Sequence, residues 1–243
     1  MLRLVVVLIG LSLALSGCST IFSGPDPSQW WTSSQDLTLA KAVAAGEKAE
    51  ISRLIRDGAN PNAIGIDGIT MLQWSATARS LDGMAGLLEM GATPDLPGKG
   101  GEPPLHSAAW TQPAMVELLL QAGSDPDVVR AATGTTALKI ACLQNDEPVF
   151  TLLVDAGADV DWTDPNRGRP IDTCASTQSG ALVLRLLELG ANPHSVRKDG
   201  STFQDRYFIL SNDDVSDRVL QERAAIIAWL DAHDVPVHPK AYQ

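Results

Sequence analysis

Basic residues are scarce in this chain: 18 lysines and arginines stand against 29 aspartates and glutamates, a formal charge of −11 over 243 residues. Nucleic-acid binding needs a basic surface whose contacts release counterions, so no nucleic-acid partner is expected. An acidic body instead speeds encounter with a basic protein. Aromatics are few, at 5%, and six of the twelve are tryptophan. The core must therefore be built of leucine and small residues, with each tryptophan placed individually. No apolar run reaches the ~20 residues that span a bilayer; the longest covers residues 4–15. Catalytic signatures are missing too. There is no Gly-x-Ser-x-Gly, hence no nucleophile elbow. Gly98-Lys99 fails as a phosphate loop because Thr93 and Gly100 stand where glycine and Ser/Thr are required. Asp159-Val160-Asp161-Trp162-Thr163-Asp164 lacks the glycine and the glutamate of a calcium loop. Four histidines are dispersed, and His233 and His238 have no third ligand nearby in sequence. Neither an enzyme nor a cofactor or metal protein is expected.

What is present is repetition. Gly-Ala or Gly-Ser recurs at Gly58, Gly91, Gly123, Gly157 and Gly190, in steps of 33, 32, 34 and 33. A second glycine series runs Gly68, Gly101, Gly134, Gly168 and Gly200. An apolar pair precedes each member of the first series: Leu54-Ile55, Leu87-Leu88, Leu119-Leu120, Leu153-Val154 and Leu186-Leu187. Three markers in register over five units mean a solenoid, in which no unit buries its apolar side alone and at least three must stack.

The period and the segment Pro103-Pro104-Leu105-His106-Ser107-Ala108 resemble the ankyrin repeat. Weaker copies are Thr70-Met71-Leu72-Gln73-Trp74-Ser75, Thr136-Ala137-Leu138-Lys139-Ile140-Ala141 and Arg169-Pro170-Ile171-Asp172-Thr173-Cys174, with a degenerate first copy at residues 37–42. The resemblance implies an all-α ankyrin-repeat solenoid of helix-turn-helix units with β-hairpin-like finger loops. Five repeats and an extended C-terminal cap (200–237) fill residues 35–237, followed by a tail, 238–243. Thr70 and Thr136 are expected to cap first helices, Pro104 and Pro170 to open them, and the first glycine series to stop the second helices. His106 is expected to be a structural hydrogen-bonder. Cys142 and Cys174, on first helices of adjacent units, are expected as buried free thiols, with a bridge as the alternative.

At the N-terminus, Arg3, the apolar run 4–15 and Leu15-Ser16-Gly17-Cys18 closely resemble a bacterial lipoprotein signal peptide. The resemblance implies cleavage after residue 17 and lipidation of Cys18. Ser19 in place of aspartate implies the inner leaflet of the outer membrane, facing the periplasm. Removing residues 1–17 takes away Arg3 and leaves 17 basic against 29 acidic side chains, a balance of −12. Residues 18–34 read as a lipidated flexible tether; the sixteen residues after Cys18 reach at most about 50–58 Å. Trp30 and Trp31 within it either cover the first repeat or touch the membrane surface.

Ankyrin arrays bind proteins on their concave side, and the resemblance carries that role to particular positions. Trp74 and Ile140 precede the signature alanine position, Trp110 and Leu143 follow it by two, and Trp162 lies in a finger. Trp110 reads equally well as inter-repeat packing. Lys99, Arg130, Arg167, Arg197 and Lys198 form a row of basic fingers suited to an acidic protein edge. The chain is expected to be a monomer that touches the membrane only through its lipid. Ankyrin lipoproteins of this size resemble immunity proteins that neutralise secreted phospholipase-type toxins; an envelope scaffold or regulator of a housekeeping complex is the alternative.

Overall fold

The computed structural model describes residues 26–165 and 168–243. Cys18 and the signal segment lie outside the described residues, as does Arg167. Among the described residues twelve α-helices follow one another in six consecutive pairs: α1 (Ser34–Ala45) and α2 (Lys48–Arg56), α3 (Met71–Thr77) and α4 (Leu81–Glu89), α5 (Pro104–Ala109) and α6 (Pro113–Gln121), α7 (Ala137–Gln144) and α8 (Glu147–Asp155), α9 (Pro170–Ser176) and α10 (Gly180–Glu188), and α11 (Phe203–Tyr207) and α12 (Asp217–Ala232). The first helices stack in the order α1, α3, α5, α7, α9, α11; behind them α2, α4, α6 and α8 pack in order, and α12 packs on α10. Among the described residues the fingers form no strand, only the isolated bridges Ile64–Thr70 and Arg130–Thr135.

Local chemistry explains each unit. Pro104 and Pro170 occupy first-turn positions of α5 and α9, where a missing N–H costs nothing. Thr70 closes a capping box with Gln73: its hydroxyl accepts from the Gln73 N–H at 3.2 Å, and its own N–H donates to Gln73 Oε1 at 3.1 Å. Thr136, expected to do the same, makes no such bond, and its hydroxyl is buried without a partner. Gly58, Gly91, Gly123, Gly157 and Gly190 all have φ between +85° and +102°. The residue after each donates to the carbonyl of Leu54, Leu87, Leu119, Leu153 or Leu186, 2.9–3.0 Å away. That closure is a Schellman turn, so the glycine and the first member of the apolar pair end the helix together.

The array reaches further at both ends than the sequence indicates. Pro27–Gln29 forms a 3-10 turn, Trp31 is buried, and the Trp30 carbonyl accepts from the Ile66 N–H at 2.7 Å. Residues 26–34 are thus docked on the first unit and do not hang as a tether. At the other end, Gln204 donates to the Pro236 carbonyl at 3.0 Å and accepts from the His238 N–H at 2.8 Å. Pro239–Tyr242 then packs with Ala241 buried, so the tail belongs to the cap. His233 stacks on Trp229 with ring centroids 3.9 Å apart, while His238 lies 3.2 Å from Asp205. The two histidines do not converge.

Candidate protein-binding surface

One register position holds each finger to the unit before it. Gln73 Nε2 donates to the Glu102 carbonyl at 2.8 Å, His106 Nε2 to the Val128 carbonyl at 3.0 Å, and Lys139 Nζ to the Gly168 carbonyl at 3.3 Å. These three side chains share only a nitrogen donor of sufficient reach, and that is all the position requires. The fourth residue in this register, Asp172, turns back to accept from the Arg169 N–H at 2.8 Å; burial pushes its carboxyl up. A second ladder joins the finger bases. The side chains of Asn62, Asp95, Asp127 and Asp161 each accept a backbone N–H of the next finger, from Thr93, Asp125, Asp159 and Asn192, at 2.7–3.1 Å.

His106 is buried, and burial holds its pKa below the ordinary value. Its unfolded form protonates near pH 6.5. Its contribution is therefore complete above about pH 6.5 and is lost as the pH falls through the depressed folded value. His106→Gln keeps a donor, as Gln73 does one unit earlier, and removes the titration. Urea midpoints at pH 7.5 and 5.5 are expected to differ less in this variant than in the parent. An equal difference would assign the pH dependence elsewhere.

Between the fingers and the first helices lie two adjoining hollows. One, of about 210 Å³, is lined by Trp110, Leu143, Ile140, Lys139 and Thr173. The other, of about 510 Å³, is lined by Trp30, Ile69, Gln73, Lys99 and Ser107. Glu102 and Arg130 border both, and their ion pair at 3.6 Å forms the shared wall. Trp110 is 50% exposed and Leu143 51% exposed, so an open apolar shelf lies beside polar finger residues. Large apolar groups left in water in this way mark interaction surfaces.

The structure redistributes the residues expected there. Trp74 is fully buried; its indole N–H donates to the Ala40 carbonyl at 2.8 Å, reaching back to α1. It is a core residue and offers a partner nothing. Ile140 is also buried and serves as floor, not as contact. Trp162 is half-buried and ties two fingers together through its indole N–H and the Gly134 carbonyl, 3.1 Å apart. The basic fingers are not a bare cationic row either. Lys99 pairs with Asp67 at 3.2 Å, Arg130 with Glu102, and Arg197 with Asp172 at 3.9 Å. An acid lies beside each of these three bases. Lys198 is exposed.

The thiol expectation is overturned. Cys142 and Cys174 form a disulfide with Cα atoms 4.6 Å apart. Equivalent positions on stacked helices are separated by helix-packing distance, but these two are offset by one position. The offset turns Cys142 of α7 and Cys174 of α9 toward each other. Their sequence neighbours Leu143 and Thr173 line the smaller hollow, so the bridge sits directly behind the open shelf.

Sequence reasoning missed Trp30, Glu102 and Lys139 as lining residues. Lys139 was findable, since it replaces the signature histidine. Trp30 was not, because its place depends on the N-terminal segment folding back.

A family model for ankyrin repeats, in three copies, matches residues 105–197. The solenoid is an array of ankyrin repeats. The ankyrin array resembles the solved ankyrin repeat domain of human ASB11, with a TM-score of 0.64 at 22% identity, over 79% of this chain and 82% of that one. Protein PhlB of Serratia liquefaciens is 35% identical over 142 residues, 58% of this chain. Ankyrin repeat and SOCS box protein 16 of Homo sapiens is 31% identical over 177 residues, 69% of this chain. The chain spans 62% of the first relative's length and 39% of the second's. The ankyrin-repeat fold is generally that of a protein-binding scaffold.

Proposed function

We propose that this chain is a lipoprotein anchored through Cys18 to the inner leaflet of the outer membrane, and that its ankyrin array binds and neutralises a secreted phospholipase-type toxin. The observation that carries the binding role is the half-exposed pair Trp110 and Leu143 beside the smaller hollow. Tryptophan anchors over a pocket are where interface energy concentrates. Because Lys99, Arg130 and Arg197 each lie beside an acid, the partner segment that fits is apolar and hydrogen-bonding more than acidic. The periplasmic address draws support from the lipoprotein-type N-terminus and from the Cys142–Cys174 disulfide, which suits an oxidising compartment. The toxin class rests on the resemblance to immunity lipoproteins of this size.

Trp110→Ala is expected to weaken the complex by about 2 kcal/mol or more, roughly 30-fold in Kd, with Leu143→Ala acting in the same direction. Titration calorimetry with the partner captured from envelope extract reads this directly. Unchanged affinity in both variants would move the interface off this shelf. For the toxin, the deciding experiment is competition of a deletion strain with its siblings: loss of resistance supports immunity. Full resistance, with a housekeeping envelope complex recovered in the pull-down, would replace it with the scaffold role.

A further inference from the structure

The tip of the first finger differs from its counterparts in chemistry. Three fingers have ten residues from one glycine series to the other, those from Gly58, Gly91 and Gly190. Aligned on that spacing, Ile64 corresponds to Pro97 and Val196, and Ile66 to Lys99 and Lys198. The first finger therefore carries isoleucine where the others carry a cation.

Local geometry turns both isoleucines outward. Gly65 between them is extended, with φ −83° and ψ −173°. A Cβ on Gly65 would lie 2.5 Å from the Trp30 carbonyl oxygen and 3.1 Å from the Trp31 ring. That side of the finger is closed by the folded-back segment, so only glycine fits. In extended backbone successive side chains alternate, which sends Ile64 and Ile66 to the opposite side. They are 56% and 47% exposed, and no earlier finger covers them among the described residues.

The chain's path supplies the occupant. Cys18 precedes Asp26 by eight residues in sequence, about 26–29 Å at full extension. Asp26 in turn is four residues from Trp30, whose carbonyl holds Ile66. We propose that Ile64 and Ile66 rest in the headgroup region of the phospholipid bilayer that holds Cys18, with the first unit against the membrane and the cap away from it. This rests on the anchoring proposed above. A tether this short makes the second contact intramolecular, so two apolar side chains are enough to bias the orientation. The acidic balance of the remaining body keeps it off an anionic surface, which confines contact to the tip.

The test places an environment-sensitive nitrobenzoxadiazole label at Ile64→Cys, Ile66→Cys or, as control, Val196→Cys, with Cys142 and Cys174 left bridged. Vesicles of phosphatidylethanolamine and phosphatidylglycerol carry the protein in two forms. One is the lipidated full chain. The other is residues 19–243 with an N-terminal hexahistidine held by a nickel-chelating lipid; it retains every described residue. In both forms, labels at 64 and 66 are expected to brighten about twofold or more and shift to the blue on vesicle binding, while the label at 196 does not change. Labels at 64 and 66 that stay as aqueous as 196 in vesicle-bound protein would overturn the inference. Palmitate labelling of Cys18→Ser reads the anchor separately: label retained there refutes the anchor, while the nickel-held form still reports on the finger tip.

Discussion

Trp74→Ala is expected to cost about 3–5 kcal/mol of stability, the range for emptying a large aromatic site in a core. The side chain is fully buried and its N–H satisfies the Ala40 carbonyl, so the variant loses apolar contact and strands an acceptor at once. Total stability of a domain is only about 5–15 kcal/mol, so this single change removes a large share. In a linear array each unit leans mainly on its neighbours. The loss should therefore concentrate in α1–α4, which unfold at lower urea than the rest. The smaller hollow is lined from Glu102 to Thr173, beyond those helices, and should keep its partner wherever it stays folded. Circular dichroism with titration of the captured partner checks both halves. A cost under about 1 kcal/mol, or a loss of affinity without loss of stability, would return Trp74 to the binding surface.

The second large effect belongs to the disulfide. Cys142 and Cys174 are 32 residues apart, and closing a loop of that length lowers unfolded-chain entropy by an amount equal to about 3–4 kcal/mol. Cys142→Ala with Cys174→Ala is expected to lose that much. Alanine suits both sites, because Ala141 and Ala175 are equally buried beside them. The bridge enters the binding question too, since it holds α7 and α9 behind Leu143 and Thr173. Thiol titration of the denatured residue 19–243 form should find no free thiol before reduction and two after. Two free thiols before reduction, in protein purified without reductant, would refute the bridge.

The N-terminal segment shows how a composition argument misleads at a boundary. Residues 26–34 hold a proline, serines and no period, which is the signature of a linker. They are nevertheless docked, because a solenoid's first unit has a naked edge and Trp31 is available to fill it. The same logic applies at the tail, where Gln204 occupies the register of Leu72, Leu105 and Leu138. There its polar side chain binds the returning backbone at Pro236 and His238.

By itself the sequence determined the period, the helix pairs and their ends, since these depend on interactions within five or six residues: a proline at a first turn, a glycine at positive φ, an apolar pair before it. Only the tertiary structure decided which repeated positions face water. Trp74, Ser107, Ile140 and Thr173 share one register, yet Trp74 and Ile140 are buried while Ser107 and Thr173 are half-buried. The reason is that the fate of a side chain in a stack depends on its own reach and on the neighbouring unit. The indole of Trp74 reaches back as far as Ala40 of α1. A repeat fixes the direction of a side chain; what it meets there is set by another unit's residues, at a distance the period does not encode.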